Sequence, residues 1–322
     1  MPSSPEHWHA RIGRHLRLRD LHVLLTVVQS GSMAKAARHL SISQPAVSKA
    51  IGDLESAVGV RLLDRSSRGV EPTSYGAALI KRGIAAFDEL RHGIAEMEFL
   101  AGSNYGSVTI GCNESLSAAL LPKVISRLGS QYPGITVHVV QLNRPINEEI
   151  GHLRQRSVDL ILARGLFRVT EGDLECEVLF DESLVVVAGA HHPLVKRRKL
   201  SLAELAGIPW IFYPPNEPPG TLVEQAFHSA GISVPKPALT TSSFHLRKSL
   251  LCTGDYVTVV PACMLSAFNV ERRVIKALPV SLNIPNRPVA IFTLKGRTLS
   301  PACLRAMECI RQAAAAFTKM KS

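Results

Sequence analysis

The sequence SMAKAARHLSISQPAVSKAIG, residues 32–52, determines how the rest of the chain is interpreted. Two helical patterns lie on either side of a short polar break at residues 41–43. In the second pattern, apolar residues recur at steps of four, three and four, as expected on one face of a helix. These residues are Val47, Ile51, Leu54 and Val58. We therefore predict two short helices that are joined by a tight turn.

The start of the second helix is predicted from its local sequence. Ser43 is a good N-cap residue, and Pro45 falls in the first turn, where its missing N–H costs least. Burying the apolar stripe turns Gln44, Ser48 and Lys49 outward together with Pro45. The recognition helix of a helix-turn-helix presents such a polar, basic N-terminus to the major groove. The pattern alone also allows a helical hairpin in an ordinary domain.

The flanking residues favour the first interpretation. Residues 21–28 predict a preceding amphipathic helix, and Ser32 is a candidate N-cap for the next one. Residues 60–70 (VRLLDRSSRGV) predict a hairpin with Arg65 and Arg68 near its tip. A basic wing of this kind lies along phosphates or enters the minor groove.

These motifs resemble the winged helix-turn-helix of the LysR-type transcriptional regulators. The run SQPAVS at residues 43–48 is specific when it stands between Lys35-Ala36-Ala37 and Leu54-Glu55, with LLDR following at residues 62–65. The resemblance implies an N-terminal α winged helix-turn-helix over residues 16–73 that binds double-stranded DNA. The predicted DNA-binding residues are Ser32, Ser43, Gln44, Pro45, Ser48, Lys49, Arg65 and Arg68.

Lys49 departs from the commonest form of this motif, because many relatives carry arginine there. Lysine keeps the charge but loses the bidentate fork that arginine offers to guanine. We therefore expect Lys49 to contact a phosphate.

The composition fits a globular protein with a polyanionic partner. A chain of 322 residues is long enough for two or three compact units. It carries 37 Lys and Arg against 26 Asp and Glu, a net charge of +11, which suits nucleic acid. The basic run at residues 196–199 is interpreted as a solvated loop rather than a second DNA contact. Residues 1–15 are polar and predict a flexible tail.

Several classes of protein are disfavoured by the sequence. No apolar run approaches the ~18 residues of a membrane span, so we expect no membrane partner. The six cysteines are scattered without metal-ligand spacing, which predicts reduced thiols and a cytoplasmic location. No phosphate-binding loop, nucleophile elbow or zinc-protease motif is present. We therefore predict no catalytic residues, no metal and no cofactor.

A linker and dimerisation helix is predicted over residues 74–101. Its apolar stripe nearly fits a heptad seam, which favours a dimer over packing on the chain's own second domain. The stripe consists of Ile80, Ile84, Phe87, Leu90, Ile94 and Met97. The family resemblance implies a homo-oligomer, a dimer that pairs into a tetramer, with recognition helices about 34 Å apart or a multiple of it. Contact with RNA polymerase is implied as well.

Residues 107–322 predict a two-lobed α/β domain. Strands and helices alternate as βαβαβ over residues 108–163, and a second such series covers residues 184–260, so each lobe should contain a parallel sheet. Residues 272–277 and 289–294 are expected to be strands that return to the first lobe. The expected division is lobe I at about 107–180 and 271–322, and lobe II at about 181–270.

This second half also resembles the periplasmic-binding-protein-like effector domain of the LysR family, which implies a small-molecule inducer in the cleft between the lobes. Ligands of such sheets bind beyond the carboxyl ends of the strands, next to helix N-termini. Serine and threonine there could cap helices, contact the ligand or do both. Two arginines could pair with an anionic inducer, although ordinary salt bridges fit them equally well. The predicted effector-binding residues are Ser115, Asn143, Arg144, Arg164, Thr221, Ser242 and Ser243.

The leading interpretation is a DNA-binding transcription regulator whose DNA-bound state is controlled by an effector. The alternative is an enzyme or a solute-binding protein that uses the two-lobed domain, with the N-terminal helices as a docking module.

Overall fold

The computed structural model describes most of the chain, in six segments. These segments are residues 16–66, 69–101, 105–165, 172–215, 217–268 and 274–318. They divide into two compact units, Met1–Gly93 and Ile94–Ser322. The predicted tail and Arg68 lie outside the described residues.

The first unit is built on three helices: α1 (Leu18–Ser30), α2 (Met33–His39) and α3 (Gln44–Val58). Each turns its apolar face inward, which forms one buried cluster as the sequence predicts. Side chains of this cluster with no exposed surface are Leu24, Val27, Ala36, Val47, Ile51 and Leu54. Burying these faces leaves the polar face of α3 outward.

The predicted wing is a two-stranded antiparallel hairpin, β1 (Leu63–Ser66) and β2 (Gly69–Pro72). Its first strand is attached to α3 through one carboxylate. Glu55 Oε1 accepts hydrogen bonds from the backbone N–H groups of Leu62, at 2.7 Å, and Leu63, at 3.2 Å. The wing therefore has a fixed starting point relative to the helix that precedes it.

The second strand of the wing lies against the turn between α1 and α2. Gly69 has φ +132°, and a Cβ atom there would lie 2.9 Å from the carbonyl oxygen of Gly31. The next residue, Val70, donates its backbone N–H to the same oxygen at 3.2 Å. Only glycine adopts this backbone and leaves room for this contact.

A 27-residue helix, α4 (Ser74–Leu100), follows the wing as predicted. Its first half contributes Leu79, Ile80 and Phe87 to the core of the first unit. Four of its later apolar residues are 48–77% exposed: Leu90, Ile94, Met97 and Leu100. The predicted stripe therefore has two parts, one that packs on the helix-turn-helix and one that is bare.

The second unit alternates strands with helices. Its strands are β3 (Gly106–Cys112), β4 (Ile135–Gln141), β5 (Leu160–Arg164), β6 (Leu174–Glu182), β7 (Leu184–Gly189), β8 (Trp210–Phe212), β9 (Pro237–Thr240), β10 (Val257–Pro261), β11 (Ile275–Ala277) and β12 (Arg287–Leu294). Its helices are α5 (Glu114–Ala119), α6 (Leu121–Gln131), α7 (Ile146–Glu149), α8 (Gly151–Arg154), α9 (Leu202–Leu205), α10 (Pro218–Ser229), α11 (Phe244–Thr253), α12 (Met264–Phe268) and α13 (Pro301–Thr318), with a short 3₁₀ helix at Pro193–Lys196. Within the described ranges, no helix has both the length and the apolarity needed to cross a bilayer.

Two five-stranded sheets organise the second unit. The first has the order β4-β3-β5-β12-β6, and the second has the order β11-β7-β10-β8-β9. Strand β3 is parallel to both β4 and β5, which confirms the predicted βαβαβ series. The chain passes from one sheet to the other between β6 and β7, and it returns between β11 and β12.

The predicted destination of residues 272–277 is wrong. Strand β11 pairs antiparallel with β7, so it completes the second sheet instead of returning to the first. The chain returns to the first sheet only after Ala277, later than the expected boundary between the lobes near residue 271. The local sequence indicates a strand, but a strand's partner depends on distant residues. Strand β6, which pairs with β12, is absent from the sequence interpretation.

Two predicted helices are each divided in the structure. The pattern at residues 116–128 is split between α5 and α6, because Pro122 lacks an N–H and favours a new first turn. The pattern at residues 147–156 is split between α7 and α8, where Gly151 begins the second helix. The helical spacing of apolar residues continues across both breaks, so the sequence pattern does not reveal them.

Candidate functional sites

The N-terminus of α3 is exposed and capped. Ser43 Oγ accepts a hydrogen bond from the N–H of Ala46 at 3.3 Å, which confirms the predicted N-cap. Gln44, Pro45 and Lys49 are exposed at the start of this helix. These side chains, together with the half-buried Ser48, are available to a partner in the surrounding solvent.

Two further predicted DNA-binding residues are located by the structure. Ser32 occupies the N-cap position of α2 with an extended backbone, but its side chain makes no capping hydrogen bond. Arg65 is exposed on β1, and its Nη1 donates to Ser48 Oγ at 3.5 Å. A basic side chain of the wing therefore lies next to the exposed face of α3.

A cavity of about 510 Å³ lies between the two sheets of the second unit, in the region predicted for a ligand. Six of the seven predicted effector-binding residues line it: Ser115, Asn143, Arg144, Arg164, Ser242 and Ser243. Ser243 also caps α11, because its Oγ accepts from the N–H of Leu246 at 3.3 Å.

Thr221 is the seventh predicted residue, and it is not part of the cavity wall. The sequence predicts Thr221 at the opening of a helix, but α10 begins at Pro218. Its hydroxyl donates to the backbone oxygen of Glu217 at 3.1 Å. Proline in the first turn moves the helix start upstream and places Thr221 inside the helix.

Arg164 lies in the centre of a buried polar network. It forms a salt bridge with Glu182, and both side chains are at most 10% exposed. Its Nη1 donates to Ser115 Oγ at 2.8 Å and to Asn113 Oδ1 at 3.2 Å, and its Nη2 donates to Cys263 Sγ at 3.6 Å. Burial opposes the charge, but Glu182, Cys263 and Tyr213 together outweigh burial and raise the pKa of Arg164.

The same network connects the two sheets. Glu182 is the last residue of β6, in the first sheet, and its Oε1 accepts from the N–H of Cys263 at 3.1 Å. Cys263 follows β10 of the second sheet. Arg164, Glu182 and Cys263 thus join the two lobes next to the cavity.

Arg144, the other predicted anion-binding arginine, is also paired within the protein. Its Nη1 lies 3.2 Å from Glu148 Oε2, and its side chain is 73% exposed. Both nominated arginines therefore form the salt bridges that the sequence interpretation left open as an alternative.

Arg247 is a cavity residue that the sequence interpretation missed. It lies on α11 and is 1% exposed. Its Nε donates to the carbonyl oxygen of Thr241 at 3.1 Å, its Nη2 donates to the same oxygen, and its Cζ lies 3.2 Å from the ring centre of Tyr213. Arg247 is one helical turn after Ser243, so the spacing from this nominated serine could have identified it.

Burial affects the ionisation of this second cluster. It lowers the pKa of Arg247, and Tyr213 and Glu217 partly offset it. Burial also raises the pKa of the Tyr213 hydroxyl. Glu217, on the cavity wall, accepts a hydrogen bond from Ser242. The tyrosine is thus neutral beneath a charged guanidinium.

Sequence and structure comparisons agree on the family. Residues 18–77 match the bacterial regulatory helix-turn-helix protein family of LysR type, and residues 101–315 match the LysR substrate binding domain. The HTH-type transcriptional regulator GbpR from Azospirillum brasilense is 29% identical over 98% of this chain and 91% of its own length.

Two solved structures share the fold across nearly the whole chain. A full-length OxyR variant from Pseudomonas aeruginosa has a TM-score of 0.65 and 22% identity, covering 94% of this chain and 95% of that one. Full-length CbnR complexed with its target DNA has a TM-score of 0.52 and 21% identity, covering 93% and 100%. The chain belongs to the LysR family of DNA-binding transcription regulators, with an N-terminal helix-turn-helix and a C-terminal effector-binding domain.

Proposed function

We propose that this regulator binds operator DNA through α3 and its wing, and that a small molecule in the interlobe cavity controls the DNA-bound state. The observation that carries the proposal is the capped, exposed N-terminus of α3 with Arg65 of the wing beside it. A major groove admits a helix in this orientation, while a neighbouring wing contacts the backbone. The CbnR structure with target DNA is a precedent within the same fold.

The DNA-binding residues divide into two roles in this proposal. Gln44 and Ser48, with Pro45 between them, face base edges in the major groove. Phosphates are contacted by Ser32, Ser43, Lys49, Arg65 and Arg68. A change in the first group alters which sequence is preferred, whereas a change in the second group alters binding to all DNA.

The proposed assembly is a homodimer formed through the bare part of α4, and dimers pair into tetramers. Leu90, Ile94 and Met97 are exposed at helical spacing, and such a stripe is stabilised by burial against a second copy. We expect Ile94→Glu to yield monomers, and Glu96→Ala, an exposed change off the stripe, to leave the dimer intact. Light scattering distinguishes these results, and a persistent Ile94→Glu dimer contradicts this interface.

The control step is a coupling between the cavity and the geometry of the DNA-bound dimer. Coupling of about 1–3 kcal/mol is enough for a several-fold change in affinity. The regulator contacts RNA polymerase and acts in the cytoplasm, where its six free thiols stay reduced. It works without catalytic residues, metal or cofactor, as a binding protein and not as an enzyme.

A gel-shift titration against the chain's own upstream DNA tests the proposal. We expect Gln44→Ala to weaken specific binding by about 1–3 kcal/mol and to leave nonspecific binding nearly unchanged. Arg65→Ala should weaken both and reduce the salt slope by about one. Arg305→Ala is the charge-matched control, because this arginine of α13 has a side chain that is 43% exposed. The proposal fails if the wild-type protein shows no salt-sensitive, sequence-specific retardation.

A further inference from the structure

Arg247 has a buried hydrogen-bond donor that the protein leaves unused. Across the described ranges, two buried side-chain polar atoms lack a hydrogen-bond partner, His92 Nδ1 and Arg247 Nη1. The first belongs to the long helix α4, whereas the second belongs to a residue of the cavity wall. An unpaired buried donor is costly, so its retention beside a cavity points to a partner that arrives from outside.

The position of this donor is fixed by the rest of the side chain. Nε and Nη2 of Arg247 both donate to the carbonyl oxygen of Thr241, and the guanidinium plane is supported by the ring of Tyr213. These contacts hold the guanidinium on both its edge and its face. The remaining nitrogen, Nη1, is therefore preorganised before any ligand binds.

Arg247 has no ion-pair partner among the residues that the structure describes. No salt bridge joins it to a carboxylate among the described residues, although Glu114 and Glu217 are near enough to influence it electrostatically. Glu217 already accepts a hydrogen bond from Ser242. In contrast, Arg164 on the opposite sheet is paired with Glu182 and uses its remaining nitrogens on other side chains. Of these two buried cations, Arg247 is the one that lacks a carboxylate.

The surroundings of Arg247 favour a singly charged ligand. The cavity wall contains four arginines and three glutamates, so it carries one net positive charge; these residues are Arg144, Arg164, Arg247, Arg287, Glu114, Glu182 and Glu217. Arg247 lies in the first turn of α11, a ten-residue helix whose positive dipole end also favours an anion. Leu142, Phe244 and Met264 add apolar wall for the body of such a ligand.

We propose, building on the proposed function, that the effector is a small organic monocarboxylate and that Arg247 Nη1 donates the hydrogen bond that fixes its carboxylate. The carboxylate supplies the counter-ion that the fold omits, and its apolar body occupies the remaining cavity. Arg164 keeps its internal partners and holds the opposite lobe in place.

Thermal unfolding of the full-length protein at constant ionic strength tests this inference. The probes are acetate, butyrate, benzoate and phenylacetate, each compared with its neutral amide. We expect at least one carboxylate to raise the Tm while its amide does not. Arg247→Met should weaken the binding of that carboxylate at least tenfold, the loss expected for a charge-assisted hydrogen bond of about 1.5 kcal/mol. Arg305→Met removes an exposed arginine of α13 that is not part of the cavity wall, and it should retain the response.

Three results would overturn the inference: no carboxylate raises the Tm, amides stabilise as well as their acids, or Arg247→Met keeps full affinity. If Arg247→Met does not fold, the same measurement is made with Arg247→Lys, which keeps the charge but loses Nη1, and undiminished affinity there overturns the inference as well. Gel-shift titration of the same protein separates the two proposals. Specific DNA binding without any carboxylate response removes only the effector class, whereas absent DNA binding removes the proposed function itself.

Discussion

The exposed face of α3 and the interlobe cavity use polar side chains in opposite ways. At the start of α3, Gln44 and Lys49 extend into solvent. In the cavity, Arg164 and Ser115 are hydrogen-bonded to each other, and Arg164 is also paired with Glu182. The polar side chains at the start of α3 are exposed to a partner, whereas Arg164 and Glu182 in the cavity are bound to each other and to Cys263 beside the second sheet.

This difference explains why the sequence predicts the local geometry of α3 more completely than the hydrogen bonds and ion pairs of the cavity. Residues 43–49 supply the cap, the first turn and the outward face of α3 within a single helix. The cavity network joins Arg164 to Glu182, 18 residues later, and Glu182 to Cys263, 81 residues later. Contacts among near neighbours can be predicted from spacing, whereas contacts between residues far apart in the sequence require the fold.

Glu182→Gln gives the largest expected effect. It removes the counter-ion of the buried Arg164, which should lower the free energy of unfolding by about 3–5 kcal/mol. Glu148→Gln breaks the exposed pair with Arg144 and should cost less than about 1 kcal/mol. Urea unfolding followed by circular dichroism measures both. Equal, small losses would mean that the cavity network does not hold the second unit together.

Two glycines of α4 offer a matched pair in the first unit. A Cβ atom at Gly76 would lie 2.0 Å from the carbonyl oxygen of Leu62, whereas one at Gly93 would meet nothing within 4 Å. We expect Gly76→Ala to destabilise the protein by about 1–3 kcal/mol through overpacking, and DNA binding to weaken with it. Gly93→Ala should stabilise the helix by up to about 1 kcal/mol.

Unfolding curves and a gel shift on these two variants decide whether the junction between wing and long helix is tightly packed. A Gly76→Ala protein that was as stable as wild type would show that the junction relaxes easily, and the first unit would then be less rigid than its contacts indicate.

Two serines at helix starts give a smaller contrast. Ser43 caps α3 with its side chain, whereas Ser32 occupies the same position on α2 without a capping hydrogen bond. Ser43→Ala should lower the free energy of unfolding by about 0.5–2 kcal/mol, and Ser32→Ala should change it by much less. Both are measured by thermal unfolding without DNA. A larger loss for Ser32→Ala would contradict this assignment of the caps.

Cysteine labelling tests how tightly the first sheet is packed. Labelling of an exposed cysteine should leave the free energy of unfolding nearly unchanged. Burial raises the pKa of Cys112 to about 12, so at pH 8 only about one molecule in ten thousand carries its thiolate. Cys252 is exposed. Iodoacetamide at pH 8 should modify Cys252 first and Cys112 only after unfolding, as mass spectrometry of digests would show. Early labelling of Cys112 would mean that the first sheet opens readily.

The sequence predicts much of the fold, and six of the seven cavity residues that it nominates line the cavity, but it does not predict which residues they contact. The three helices of the first unit, the wing and the parallel series around β3 all follow from apolar spacing and turn residues. The partner of β11 and the existence of β6 depend on pairing with distant strands, which spacing does not encode. The sequence does not predict Arg247 as a cavity residue, because a single arginine in a helix is usually solvated. Its burial depends on contacts with Tyr213 and Thr241, which lie outside its helix.

The two hydrogen bonds from Leu62 and Leu63 to Glu55 have a consequence for operator choice. Since this carboxylate ties the hairpin to α3, each protomer of the proposed DNA complex would span a constant stretch of duplex between its groove contact and its backbone contact. On the same proposal, substitutions at Gln44 or Ser48 would change the preferred bases without changing that stretch. Any adjustment to half-site spacing in the proposed complex would have to come from the arrangement of one protomer against another.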